Sequence, residues 1–146
     1  MVVYFTLTGG GAVDLTVDFD LSQSIVVTGS GTYQLKPVLH IVQTQEAATI
    51  NGKINESTFG SNTEAIVVVT LDKDYSGDIT TADEEYTRIT VAKSSGVTQF
   101  TIFWLGPNNG YIVQIEIGNV VIYTQALTPS QMSAGAVLSL NGGNAI

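Results

Sequence analysis

The chain has 146 residues, 44% of them hydrophobic and spread along its whole length, so it can bury a core without staples, either as one ordinary domain or as two small β units sharing a core. Its longest apolar runs, such as Ala65 to Val69, are far too short to span a bilayer, and the absence of cysteine excludes disulfides, thiolate metal sites and cysteine nucleophiles. Thirteen acidic residues against five basic ones give a net charge of −8, which argues against nucleic acid and anionic membranes as partners.

Met1-Val-Val-Tyr-Phe-Thr-Leu-Thr8 lacks the basic head and small-residue cleavage site of a signal peptide and reads as a strand. If the protein is exported, this numbering describes a mature or trimmed chain. After Gly9-Gly-Gly, the residues Leu15, Val17, Phe19 and Leu21 alternate with Asp14, Thr16, Asp18 and Asp20, the pattern of a strand with one wet face. Residues 1–45 hold three or four strands in all. Such a unit is incomplete, because so short a stretch cannot bury two sheet faces alone, and it must borrow a partner from the rest of the chain or from another chain. The single histidine, His40, shares a strand face with Lys36, Val38 and Val42 and reads as a surface or edge residue.

A composition shift near Gln43 to Ala48 opens a second unit, 46–146, predicted to contain about seven strands and to share one core with the first. Period two recurs at Arg88 to Val91, Gln99 to Trp104 and Tyr111 to Ile117. Turn signals at Gly29-Ser-Gly, Asn51-Gly, Ser94-Ser-Gly, Gly106-Pro-Asn-Asn-Gly and Gly118-Asn punctuate the chain, the last three at roughly the 8–12 residue spacing of sandwiches. The only helical signal is Thr128-Pro-Ser-Gln-Met, with Thr128 placed to cap and Pro129 at the first helical position. The expected fold is all-β, an antiparallel β-sandwich of the immunoglobulin or prealbumin kind, with at most one short helical turn near residues 128–133.

The sharpest chemical feature is Asp72-Lys-Asp-Tyr-Ser-Gly-Asp-Ile-Thr-Thr-Ala-Asp83, which fits a twelve-residue calcium loop at each diagnostic position. Asp72, Asp74 and Ser76 supply side-chain oxygens at loop positions 1, 3 and 5, Gly77 permits the sharp turn, and Asp78 offers its backbone carbonyl with its carboxylate facing solvent. Ile79 is expected to anchor the loop to the core, Thr80 to ligate directly or through water, and Asp83 to close the shell. Six acids crowd between Asp72 and Glu85 with Lys73 the only cation among them. Carboxylates about 4 Å apart repel by roughly 1 kcal/mol per pair in water and roughly 4 kcal/mol at an effective dielectric near 20, so a divalent ion would relieve the crowding. The bland alternative is a solvated acidic hairpin tip.

This loop resembles those of dockerins and EF-hands, but its flanks, Ala65 to Leu71 and Tyr86 to Ala92, read as strands instead of helices. A calcium-stabilised clamp is therefore expected in place of a sensor that opens a groove. Extracellular modules bind calcium at roughly 10⁻⁴–10⁻³ M, which favours a location outside the cell.

The run Asp18-Phe-Asp-Leu-Ser-Gln-Ser-Ile-Val-Val-Thr-Gly-Ser-Gly-Thr-Tyr-Gln-Leu-Lys-Pro-Val-Leu-His-Ile-Val42 resembles the end of the domain-of-unknown-function family 4382, found in prokaryotic surface lipoproteins. From Gly52 to Leu140 the chain is more loosely similar to the carboxypeptidase regulatory-type β-sandwich, with Phe103-Trp-Leu-Gly-Pro before Tyr111-Ile-Val-Gln-Ile-Glu. The resemblance implies a non-enzymatic cell-surface role and carries no catalytic residues.

Other readings weigh less. Asp18 and Asp20, two apart on one strand face, have the spacing of a glycosidase carboxylate pair, but alternation alone would place them there. Phe103, Trp104 and the strands of Tyr111 and Tyr123 offer the aromatic rings of a glycan platform, yet Trp104 shares its face with Phe100 and Ile102 and reads as core. Asn55-Glu-Ser is a glycosylation sequon of little weight in a prokaryotic protein. The short first unit, the apolar ends Val2 to Thr8 and Ala136 to Leu140, and the scarcity of lysine on edges favour self-assembly. The expected function is a non-enzymatic, calcium-stabilised extracellular subunit that joins other copies of itself by strand addition into a pilus-like surface or matrix fibre. The alternative is a monomeric adhesion or carbohydrate-binding module of a surface lipoprotein.

Overall fold

The computed structural model describes residues 12–146; the strand expected over Val2 to Thr8 and the Gly9-Gly-Gly turn lie outside them. The chain is an antiparallel all-β sandwich preceded by a smaller β unit. In that unit β1 (Leu15–Phe19) pairs with β4 (Leu39–Gln43), while β2 (Ile25–Val27) and β3 (Tyr33–Leu35) form a separate hairpin. The alternation read from Asp14 to Leu21 is cut short by a one-turn helix, α1 (Leu21–Ser24). Asp20 precedes it, and its carboxylate accepts the Gln23 backbone N–H at 3.2 Å, an N-cap that turns the chain out of the strand.

The period of β1 is as expected, but its apolar side does not face the rest of the molecule. Leu15, Val17 and Phe19 are exposed, and Thr16 and Asp18 are the half-buried residues. Register puts Leu39 and Ile41 of β4 on the same outward face, opposite Phe19 and Val17. In the β2–β3 hairpin every residue is exposed, Tyr33 at 75%.

The sandwich is assembled from seven strands. β5 (Ala48–Asn55) lies between β8 (Val97–Leu105) and the short β11 (Val137–Ser139); β11 runs parallel to β5, an exception to the antiparallel pattern. The facing sheet is ordered β10 (Val120–Leu127), β9 (Gly110–Ile117), β6 (Glu64–Asp72), β7 (Glu84–Ala92). Between the sheets sit Ile50, Ile54, Phe59, Val67, Val69, Leu105, Tyr111, Ile115, Leu127, Met132 and Leu140, all essentially inaccessible to solvent. Every residue in this buried cluster lies between Ala48 and Leu140. Thr128 and the residues after it form a single hydrogen-bonded turn, with the Gln131 and Met132 N–H groups both directed at the Thr128 carbonyl, and Met132 is buried beneath it.

Turn chemistry explains most connections. Gly118 and Asn119 both take left-handed backbone angles, φ 58° and 65°, and close the β9–β10 hairpin with the twist the strands require. Asn51-Gly52 behaves otherwise: it is not a turn but the middle of β5, and Gly52 is there because the Phe100 ring occupies the space a Cβ would take.

Candidate metal centre

β6 delivers Asp72 to the end of the core and β7 departs from Glu84, so strands flank the acidic loop on both sides, as its sequence predicted. Asp72 is buried, and the loop's own backbone fixes its carboxylate: Oδ1 accepts the Ser76 N–H at 3.1 Å and Oδ2 the Gly77 N–H at 3.0 Å. Bringing those groups back requires left-handed backbone at Tyr75, φ 55°, and at Gly77, φ 77°. Gly77 does so without steric cost. Across the sheet from Asp72, Gly110 leaves room for the returning loop, since a Cβ there would meet the Tyr75 ring at 3.0 Å and the Asp72 carbonyl at 3.3 Å.

The remaining acids close over this base. Asp74 accepts the Ser76 N–H at 3.1 Å through Oδ1 and the Thr80 hydroxyl at 2.9 Å through Oδ2. Asp83 Oδ2 accepts the Thr80 N–H at 2.7 Å and its hydroxyl at 3.1 Å, while Oδ1 accepts the Lys73 N–H at 2.9 Å. One oxygen from each of Asp72, Asp74 and Asp83 lies within 4.8 Å of the others, so the group could hold a metal ion. Oxygens that ligate calcium at 2.3–2.6 Å stand at most about 5 Å apart, and the donor set is the hard oxygen type that such an ion prefers. Hydrogen bonds from Ser76 and Thr80 hold the Asp74 carboxyl below its ordinary range, keeping it ionised.

The other residues of the pattern divide. Thr80 touches two of the three carboxylates. Ser76 and Asp78 are engaged with each other, the Ser76 hydroxyl donating to the Asp78 carbonyl at 3.0 Å, and the Asp78 residue is exposed. Ile79 does not anchor the loop: it is 49% exposed, and the buried Asp72 does that work through its backbone bonds. Glu84 pairs with Lys73 at 2.6 Å, and Glu85 takes a forked pair of bonds from Arg88 at 3.0 and 2.8 Å.

The foot of the loop is also where the N-terminal unit docks. The Gln23 side chain donates to the Glu85 and Tyr86 carbonyls, both at 3.1 Å, and His40 stacks on Tyr86 with ring centroids 4.0 Å apart. His40 is thus half-buried in a junction and not a surface histidine, and its Nε2 is buried with no hydrogen-bond partner among the described residues. The buried Ser24 hydroxyl donates to the Asp20 carbonyl and accepts the Val38 N–H at 2.9 Å, locking α1 to the segment leading into β4. A cavity of about 350 Å³ remains between the two units, lined by Pro37, Leu39, His40, Leu71, Glu84 and Tyr86. Sequence offered no signal for Gln23 or for this contact, since both depend on distant backbone.

Two further expectations are corrected by geometry. Asp18 and Asp20 do not share a strand face, because β1 ends at Phe19 and the Asp20 carboxylate is bonded to the Gln23 backbone and side chain. Trp104 is not core: it is 36% exposed, because an extra residue in β8 interrupts the alternation after Ile102. Tyr111, in contrast, is fully buried with its hydroxyl on the Gly106 carbonyl at 3.0 Å, so no glycan platform can include it.

No curated protein and no solved structure matches the chain. One family does, a domain of unknown function (DUF4382), over residues 1–37 of the 146, a match that contains the Asp18-Phe-Asp-Leu run and the hairpin but ends before β4.

Proposed function

We propose that this protein is a non-catalytic, calcium-stabilised structural subunit of an extracellular assembly, whose copies join by strand addition at the N-terminal unit. The observation that carries this reading is the outward apolar face of β1 and β4, together with a β2–β3 hairpin exposed on both sides. Two-stranded sheets are marginal by themselves, and their unpaired edges accept strands. Val17 at 56% exposure and Phe19 at 40% have the burial expected of residues that lack a covering layer. A second copy supplies that layer in this reading, as in the pilus-like surface or matrix fibre that the strand-poor first unit suggests.

Calcium has the part of a clamp. Asp72, Asp74, Thr80 and Asp83 would hold it, with Ser76 and the Asp78 carbonyl beside them, as in the dockerin-like and EF-hand-like loops that the sequence resembles. The ion would neutralise the clustered carboxylates and pin β6 to β7. Because the Glu84 to Tyr86 segment is also the seat of Gln23 and His40, ordering the loop would steady the N-terminal unit on the sandwich. The partial match to a family of surface proteins and the affinity range of extracellular calcium modules favour a place outside the cell.

Light scattering coupled to size exclusion, with negative-stain microscopy, tests the assembly. The protein should form concentration-dependent oligomers or fibres in millimolar calcium, and Val17→Glu or Leu35→Glu should leave folded monomers with the melting midpoint of the dilute, unassembled wild type. A monodisperse monomer with and without calcium overturns the reading.

A further inference from the structure

The outer face of the β11–β5–β8 sheet joins amide and hydroxyl side chains to an exposed aromatic ring. We infer that it binds a neutral oligosaccharide, with Phe103 as the stacking platform and the polar side chains beside it as hydrogen-bonding partners.

The face is built by register. Ser139, Asn51 and Thr101 stand in one row across the three strands, and Lys53 and Gln99 in the next. They line a groove of about 430 Å³ closed at one side by Leu140 and Gly143. Phe103 follows Thr101 on the same side of β8 and is 57% exposed. From Gln99 to Phe103 the strand rise gives about 13 Å, room for more than one sugar ring.

The aromatic end of this face is held in place by the backbone. Two steps along β5, from Ala48 to Ile50, are matched by three along β8, from Leu105 to Ile102, which defines a bulge. Trp104 sits in it at φ 63°, a left-handed conformation that bulky residues seldom adopt and that tends to accompany function. Regular alternation would have buried Trp104 beside Ile102. The bulge instead exposes Trp104 beside Phe103, which alternation already turns outward, with ring centroids 6.2 Å apart and a tilt of 39°.

Ligand class follows from the chemistry of the lining. Amide and hydroxyl side chains both donate and accept, which matches sugar hydroxyls, and the flat C–H face of a pyranose ring packs on an aromatic surface. The one cation, Lys53, is turned to the Gly143 carbonyl at 3.1 Å, and a chain of net charge −8 is a poor receptor for sulfated or phosphorylated ligands.

Trp104 is the sole tryptophan, so intrinsic fluorescence reports on the site directly. The full chain in calcium buffer should be titrated with cellohexaose, chitohexaose and mannohexaose. A saturable spectral shift is expected with at least one, and Phe103→Ala and Gln99→Ala, both at exposed positions, should each weaken it by about tenfold with melting midpoints unchanged. Absence of a saturable response to all three at millimolar concentration overturns the inference, as does a response that neither variant alters. The inference is independent of strand addition: Val17→Glu should retain the response, and loss of the response in that variant would assign the signal to assembly and overturn the glycan site.

Discussion

The sandwich from Ala48 onwards and the unit before it are made of the same alternating strands, and they differ in what the apolar side of each strand meets. In the sandwich, Ile50 and Ile54 of β5 face Val67 and Val69 of β6 and are inaccessible. In the N-terminal unit, Leu15, Val17 and Phe19 repeat that pattern and face outward. Alternation therefore specifies that a strand has an apolar side, but burial of that side needs a second layer, which the sandwich contains and the described N-terminal unit lacks.

Truncation should separate the two regions most sharply. Ile115→Ala, in the centre of β9, is expected to cost about 2–5 kcal/mol, because the surrounding sheet cannot collapse into the space. Val17→Ala, measured where the protein is monomeric, should change stability by no more than about 0.5 kcal/mol. Chemical denaturation of both variants checks the contrast; a large loss from Val17→Ala in a monomer would mean that its face is already covered.

Calcium should act on the sandwich first and on the N-terminal unit through it. With free ion a hundredfold above the dissociation constant, the stabilisation is about 2.7 kcal/mol. It should appear as a higher melting midpoint and as slower proteolysis between Asp20 and Gln43. Asp72→Ala should mimic chelation but would also strip the acceptors from the Ser76 and Gly77 N–H groups, so Asp74→Asn is the cleaner variant. A midpoint unmoved by calcium or chelator would remove the metal from the account.

The sandwich was legible in the sequence because its signals are local: period-two alternation, Gly118-Asn at a tight hairpin, and an acidic loop whose glycine and oxygen spacing follow from the turn they must make. Asp72, Asp74 and Asp83 converge as that spacing implied. Ile79 was misread because a hydrophobic residue in an acidic loop need not be its anchor; here the buried Asp72 carboxylate serves that purpose. Trp104 was misread because one inserted residue reverses the sense of alternation, and a bulge has no composition signal of its own. His40 was misread as a surface residue and Gln23 gave no signal, since the partners of both lie on β7, far away in sequence.

Gly52→Ala sharpens the distinction between a turn glycine and a packing glycine. Its new Cβ would lie 2.0 Å from the Phe100 ring, and the ring must move within a closed core, so the overpacking penalty should be about 1–3 kcal/mol. Gly29→Ala in the exposed N-terminal turn, where nothing stands within 4 Å, should be close to neutral. Equal losses from the two would show that the N-terminal turn is packed against something.

The smallest expected effect lies at the boundary between the regions. Burial raises the Tyr86 hydroxyl above its ordinary value of 10.0, with the Asp18 charge adding to the shift. A phenol whose folded value is raised binds its proton more tightly in the folded state, so this contribution is complete below pH 10.0 and is lost as pH rises above it. Alkaline titration of stability should therefore steepen above that pH, and Tyr86→Phe should reduce the slope while leaving the ring to stack on His40. Tyr111, whose hydroxyl is raised further by burial in the core, supplies the comparison: Tyr111→Phe should flatten the global unfolding curve. Tyr86→Phe should act mainly on proteolysis of the N-terminal unit. If Tyr86→Phe altered global unfolding and left proteolysis of the N-terminal unit unchanged, the hydroxyl would act only through the core, where the Tyr86 ring lies edge-on to Tyr111 with centroids 5.5 Å apart, and not through the joint.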